Sequence, residues 1–122
     1  MSEMSFDYQS FVPVLESLRV LLLKHMFLAQ EQVVSELIDL AHLESPDFQR
    51  RLQFGGVWGG AGSVADVCFS GNVEGPEDEL EEDDRRYQEA LVHLGERMLA
   101  EGLKDDSVEK LLRGLREYLT EG

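Results

Sequence analysis

Gly55-Gly56-Val57-Trp58-Gly59-Gly60-Ala61-Gly62-Ser63-Val64-Ala65-Asp66-Val67-Cys68-Phe69-Ser70-Gly71 decides between two fold classes. Read as a phosphate-cradling turn between a strand and a helix, it belongs to an α/β protein. Read as a loop between helices, it belongs to an all-α one. Gly60-Ala61-Gly62-Ser63-Val64-Ala65 fits the G-x-G-x-x-A form of the dinucleotide fingerprint, but that fingerprint has meaning only inside a βαβ unit. No parallel-strand pattern precedes it, and no Lys follows the glycines as a phosphate loop requires. The loop reading is the better one. Six of the eleven glycines lie here, with the only Trp and the only Cys. Gly55-Gly56 and Gly59-Gly60 are turn signals, since glycine reaches conformations closed to other residues. Trp58 is large enough to pin such a loop onto a core by one ring. Gly56, Trp58, Gly59, Gly60, Gly62, Ser63 and Asp66 are therefore read as a structural loop. Ser63 would cap a following turn, with Asp66 three residues on. Val64, Val67 and Phe69 favour either one short strand or one helical turn. Cys68 reads as a small buried apolar side chain beside Val67 and Phe69.

The flanks are helical. On the N-terminal side, a helix over 10–24 is expected, capped by Ser10, with Pro13 in its first turn. Its apolar face is Phe11, Val14, Leu15, Leu18, Leu21 and Leu22, widened by Val20 and Leu23. His25 and Met26 mark either a break or a continuation. A second helix over 27–43 buries Val33, Val34, Leu37, Ile38 and Ala41. Ser45-Pro46-Asp47 opens a short third helix, about 46–53, with Phe48 and Leu52 inward and Gly55-Gly56 ending it. On the C-terminal side, the Gly-rich loop extends to residue 76. A fourth helix over 78–101 keeps Leu80, Tyr87, Leu91, Leu94 and Met98 on a seven-residue rhythm, with one gap at Asp84. Gly102 stops it. A fifth helix, about 107–120, is capped by Ser107 or Asp106 and turns Val108, Leu111, Leu112, Leu115 and Leu119 inward. The expected fold is all-α: a single-domain bundle of four to five helices spanning 1–122, with a Gly-rich central loop at 55–76 that includes either a short strand or a helical turn around 64–69.

Charge sets the function classes. The chain carries 25 acids against 11 Lys and Arg, a net charge of −14. Binding to nucleic acid or to anionic membranes needs the opposite sign. No signal peptide and no membrane-length apolar run is visible, and a single Cys excludes an internal disulfide; a cytoplasmic location is expected. His25, His42 and His93 stand on different helices without metal-ligand spacing. No catalytic constellation rises above background, so no catalytic residue, metal or cofactor is expected. The densest feature is the run 74–84, with eight acids and no base. Such a run is either a solvated helix start or a docking surface for something basic. Glu77, Asp78, Glu79, Glu81, Glu82, Asp83 and Asp84 are the candidate partner-binding residues.

The segment Val57-Trp58-Gly59-Gly60-Ala61-Gly62-Ser63-Val64-Ala65-Asp66-Val67 resembles a motif in small bacterial proteins of uncharacterised function. Some of those are candidate immunity proteins of bacterial toxin systems. The resemblance covers about residues 50–70 and implies no catalytic residues; the acidic run lies outside it. Together with the acidic charge, it leads to the expectation of a non-enzymatic, immunity-type inhibitor, the charge pointing to a toxin domain with a basic surface as the partner. The alternative is a regulatory or structural interaction module, in one form a homodimer.

Overall fold

Helical spacing of apolar residues carries over into the structure nearly position by position. The computed structural model describes residues 6–53, 55–59, 62–103 and 106–121. Among these are six α-helices and no strand: α1 (Val12–Lys24), α2 (Leu28–His42), α3 (Pro46–Leu52), α4 (Gly55–Trp58), α5 (Glu77–Ala100) and α6 (Asp106–Glu121). Two short 3-10 turns, Tyr8–Phe11 and Val64–Asp66, complete the regular structure. Helix α1 packs between α2 and α5, and α5 between α1 and α6. Gln9 Nε2 donates to the Ala41 carbonyl and Arg19 faces Glu31, so α1 and α2 run antiparallel. Arg97 reaches Ser10 while Lys24 reaches Glu79, so α1 and α5 do too.

The core forms where these stripes meet. Phe11, Leu15, Leu18 and Leu22 from α1 and its approach are fully buried, as are Val34, Leu94 and Met98 from α2 and α5. Each such side chain contributes roughly 1.5–3 kcal/mol by leaving water. Val20 and Leu23 do not widen this face; they are 57% and 39% exposed. Helix α6 docks by Val108 and Leu112, and Leu112 lies over Gly95 of α5, where a Cβ would sit 2.6 Å from it. The side chains of the expected caps Asp106 and Ser107 lie outside the described residues.

Helix ends explain the connections. Three helices close with the same geometry: one residue in the left-handed region, and paired backbone bonds back into the last turn. After α1, Met26 (φ 63°) donates to Leu23 O and Phe27 N–H to Leu22 O. After α2, Glu44 (φ 52°) donates to Ala41 O and Ser45 N–H to Leu40 O. After α5, Gly102 (φ 86°) donates to Leu99 O and Leu103 N–H to Met98 O. The open question at His25-Met26 is thereby answered as a break. Ser45 caps α3 as expected, accepting from Asp47 N–H at 3.2 Å. Ser10 does not cap α1. It lies inside the 3-10 turn, which Asp7 caps by accepting from Ser10 N–H. Gly55-Gly56 does more than end α3: both residues enter the single turn of α4.

Candidate functional site

From Glu77 onward the acidic run becomes the first two turns of α5, and helical geometry divides it. Glu77, Asp78 and Glu79 occupy the first turn, where the positive end of the helix dipole favours carboxylates. Glu77, Asp78, Glu79, Glu81 and Glu82 face solvent. Asp83 and Asp84 do not: they are 2% and 5% exposed. Asp84 sits four residues after Leu80 and three before Tyr87, on the buried register itself. The expected partner-binding set is therefore corrected by two residues, because Asp83 and Asp84 are occupied inside the protein.

Asp84 holds the Gly-rich loop. Its Oδ1 accepts from the buried Phe69 N–H at 2.6 Å. Its Oδ2 accepts from Ser70 N–H at 3.1 Å and Ser70 Oγ at 2.7 Å. The Cys68 thiol donates weakly to the same oxygen at 3.7 Å. The buried Phe69 N–H would otherwise be stranded away from solvent. One turn further on, Tyr87 donates from its hydroxyl to the Val64 carbonyl at 2.7 Å. Burial pushes the Tyr87 phenol far above its ordinary range, so it remains a donor. Phe69, fully buried, packs edge-on against Tyr87 and Phe27 and lies against the His25 ring.

Asp83 faces the other way, toward the end of α1. Its Oδ2 accepts from His25 Nε2 at 2.8 Å and Lys24 Nζ at 2.8 Å. An ionised carboxylate only accepts, so Nε2 of His25 carries the proton. Burial raises the Asp83 carboxyl, but the hydrogen bonds from Lys24 and His25 outweigh it and hold the group below the usual carboxylate range. Lys24 also pairs with Glu79 at 3.2 Å, and Glu82 pairs with Arg86 at 3.3 Å. Glu77, Asp78 and Glu81 have no ion pair among the described residues.

The Gly-rich loop matches its structural reading in part. Gly62 takes φ 83°, donates to Asp66 Oδ2 at 3.1 Å and accepts from Gln30 Nε2 at 2.9 Å. Ser63 is buried, but its hydroxyl makes no cap; the Asp66 carboxylate reaches back instead, and Asp66 N–H bonds the Ser63 carbonyl. Gly56 lies in α4 near Val33, and Gly59 follows it in a bend. Gly60 lies outside the described residues. Trp58 is half-buried against the core, and its Nε1 meets no acceptor among the described residues. Phe69, Tyr87 and Asp84 add further aromatic and polar anchors to the ring of Trp58. After the 3-10 turn, Val67 begins an extended segment without a strand partner. Cys68 is exposed, not buried, because Val67 and Phe69 on either side take the inward positions.

Beside the acids, α1 and α5 leave a long surface groove. Two adjoining hollows, of about 610 and 550 Å³, share Ser17, Ala90 and His93. The small side chains of Ser17 and Ala90 leave the groove open, and Val14, Val20 and Leu21 give it apolar walls. A third hollow of about 300 Å³ lies between Val33, Leu37 and Gly56, and its charges, Glu36 and Arg51, are paired at 2.6 Å. No group of three or more His, Cys, Asp or Glu among the described residues is placed to hold a metal ion.

No family model, curated protein or solved structure matches the chain.

No helix among the described residues is long and apolar enough to cross a membrane. The signal for Asp84 was present in the sequence: a carboxylate on the apolar rhythm of a helix needs internal donors. Nothing in the sequence tied those donors to Phe69 and Ser70, which a loop delivers from a distance.

Proposed function

We propose that this chain is a non-enzymatic acidic binding protein of the immunity type, which blocks a cognate bacterial toxin by charge-complementary binding. The observation that carries the reading is the outer face of α5's first turns. Five carboxylates face solvent there, and Glu77, Asp78 and Glu81 have no cation of the chain against them among the described residues. Together with a net charge of −14, they form a field that steers a basic protein toward this end of the molecule. The acids also suit the helix dipole, so they remain there without strain. A toxin acting on an anionic substrate carries a basic cleft, and that cleft is the complement this surface fits. The resemblance of residues 57–67 to candidate immunity proteins points the same way.

The test is binding and protection against the protein encoded beside this one. Affinity should fall steeply between low and high salt, as it does for opposed charges. The variant Glu77→Lys/Asp78→Lys/Glu81→Lys should lose protection by at least about tenfold while its circular dichroism is unchanged, a change of roughly 1.4 kcal/mol. Binding indifferent to both salt and this charge reversal would overturn the proposal.

A further inference from the structure

We infer that the groove between α1 and α5 seats an amphipathic helix of a partner, with the partner's basic residues lying over the first turns of α5. This rests on the binding reading above and adds a place and a shape to it. The α5 side of the groove runs along one helical stripe, from Arg86 through Ala90 and His93 to Ala100. That stripe spans about 21 Å at 1.5 Å per residue, four turns of a helix. The same stripe continues backward, at three- and four-residue steps, to Glu82 and Glu79, each with one surface ion pair, and to Asp78, which has none among the described residues. The apolar floor therefore leads directly into the acidic end. Small residues set the two ridges apart: Pro13 and Ser17 on α1, Ala90 and Ala100 on α5. Val20, 57% exposed on the groove wall, is an apolar side chain that a seated helix would cover.

The charge selects the occupant. A second copy of this chain would bring another −14 to the same surface, which repulsion opposes. Among the rim residues, Arg86 and Arg97 are already held by Glu82 and Glu101, whereas Glu89 has no ion pair among the described residues. An occupant with an apolar stripe and a cluster of Lys or Arg at one end meets both halves of the surface. This is recognition of an amphipathic helix in a groove, with charge fixing its direction.

The probe is a synthetic peptide of about 16 leucines and lysines, its leucines on one helical face and its lysines crowded at one end. A scrambled peptide of equal composition serves as the reference. Both are titrated by fluorescence anisotropy onto the full chain at about 0.15 M salt. The amphipathic peptide should bind at least tenfold more tightly than the scrambled one, and methyl resonances of Val14, Val20 and Leu21 should shift. Ser17→Trp, which fills both hollows, and Val20→Glu should each remove that advantage without changing the far-ultraviolet spectrum. Equal binding of the two peptides, or undiminished binding by both groove variants, would overturn the inference. If the groove variants bind normally while Glu77→Lys/Asp78→Lys/Glu81→Lys abolishes binding, the groove is excluded and the acidic-face reading stands.

Discussion

Glu81-Glu82 and Asp83-Asp84 are adjacent in the chain and identical in charge, yet they belong to different parts of the molecule. The first pair faces water; the second is 2% and 5% exposed. The difference comes from the 100° turn per residue of a helix and from which neighbours lie at each angle. Toward α1, Asp83 finds Lys24 and His25. Toward the loop, Asp84 finds Phe69 and Ser70. Outward, Glu81 finds nothing but solvent among the described residues. A run of like charge is therefore not one functional unit. Its inner half organises the fold, and its outer half is left facing solvent.

The comparison breaks most visibly at Asp84. Asp84→Ala strands the Phe69 and Ser70 amides, and we expect a loss of about 3 kcal/mol by urea unfolding, with faster amide exchange at Phe69 and Ser70. A variant as stable as the parent would mean that the loop does not depend on α5. Asp83 should behave differently, because one of its two partners, Lys24, lies at the surface. Asp83→Asn should cost about 2 kcal/mol at neutral pH. The Asp83 carboxyl titrates below its ordinary 3.8 in the folded protein. Its contribution is thus complete above that value and is lost as pH falls through the folded pKa. The stability gap between parent and Asp83→Asn should then close below about pH 4; a gap constant with pH would show that the carboxylate charge is not involved. The smallest effect concerns the turn that delivers Lys24 and His25. Met26 holds φ 63° while 70% exposed, so Met26→Gly should gain about 0.5–1 kcal/mol, read as a higher melting temperature.

The fold was legible because long amphipathic stripes dominate it. Leu15, Leu18, Leu22, Leu91 and Met98 stand where helical spacing puts them. Ser45-Pro46 and Gly102 mark their helix ends by local chemistry alone. Within the acidic run, the solvent exposure of Glu77, Asp78, Glu79, Glu81 and Glu82 was legible and the burial of Asp83 and Asp84 was not. Asp84 occupied an apolar register position, a sign that its charge is satisfied internally, but its donors lie fourteen and fifteen residues away in the chain. Cys68 misled for the same reason: an extended segment alternates its faces, and the sequence does not say which face is inner. Trp58 packs against the core as its size suggests, but the second aromatic anchor, Phe69 between His25, Phe27 and Tyr87, was not visible in the sequence.

One measurement addresses the division of the acidic run directly: urea unfolding of Glu81→Gln/Glu82→Gln beside Asp83→Asn/Asp84→Asn. Both variants remove two negative charges from four consecutive residues. The outer pair should stay within about 1 kcal/mol of the parent, since exposed charges contribute little. The inner pair should lose about 3 kcal/mol or more. Equal losses from the two pairs would contradict the account.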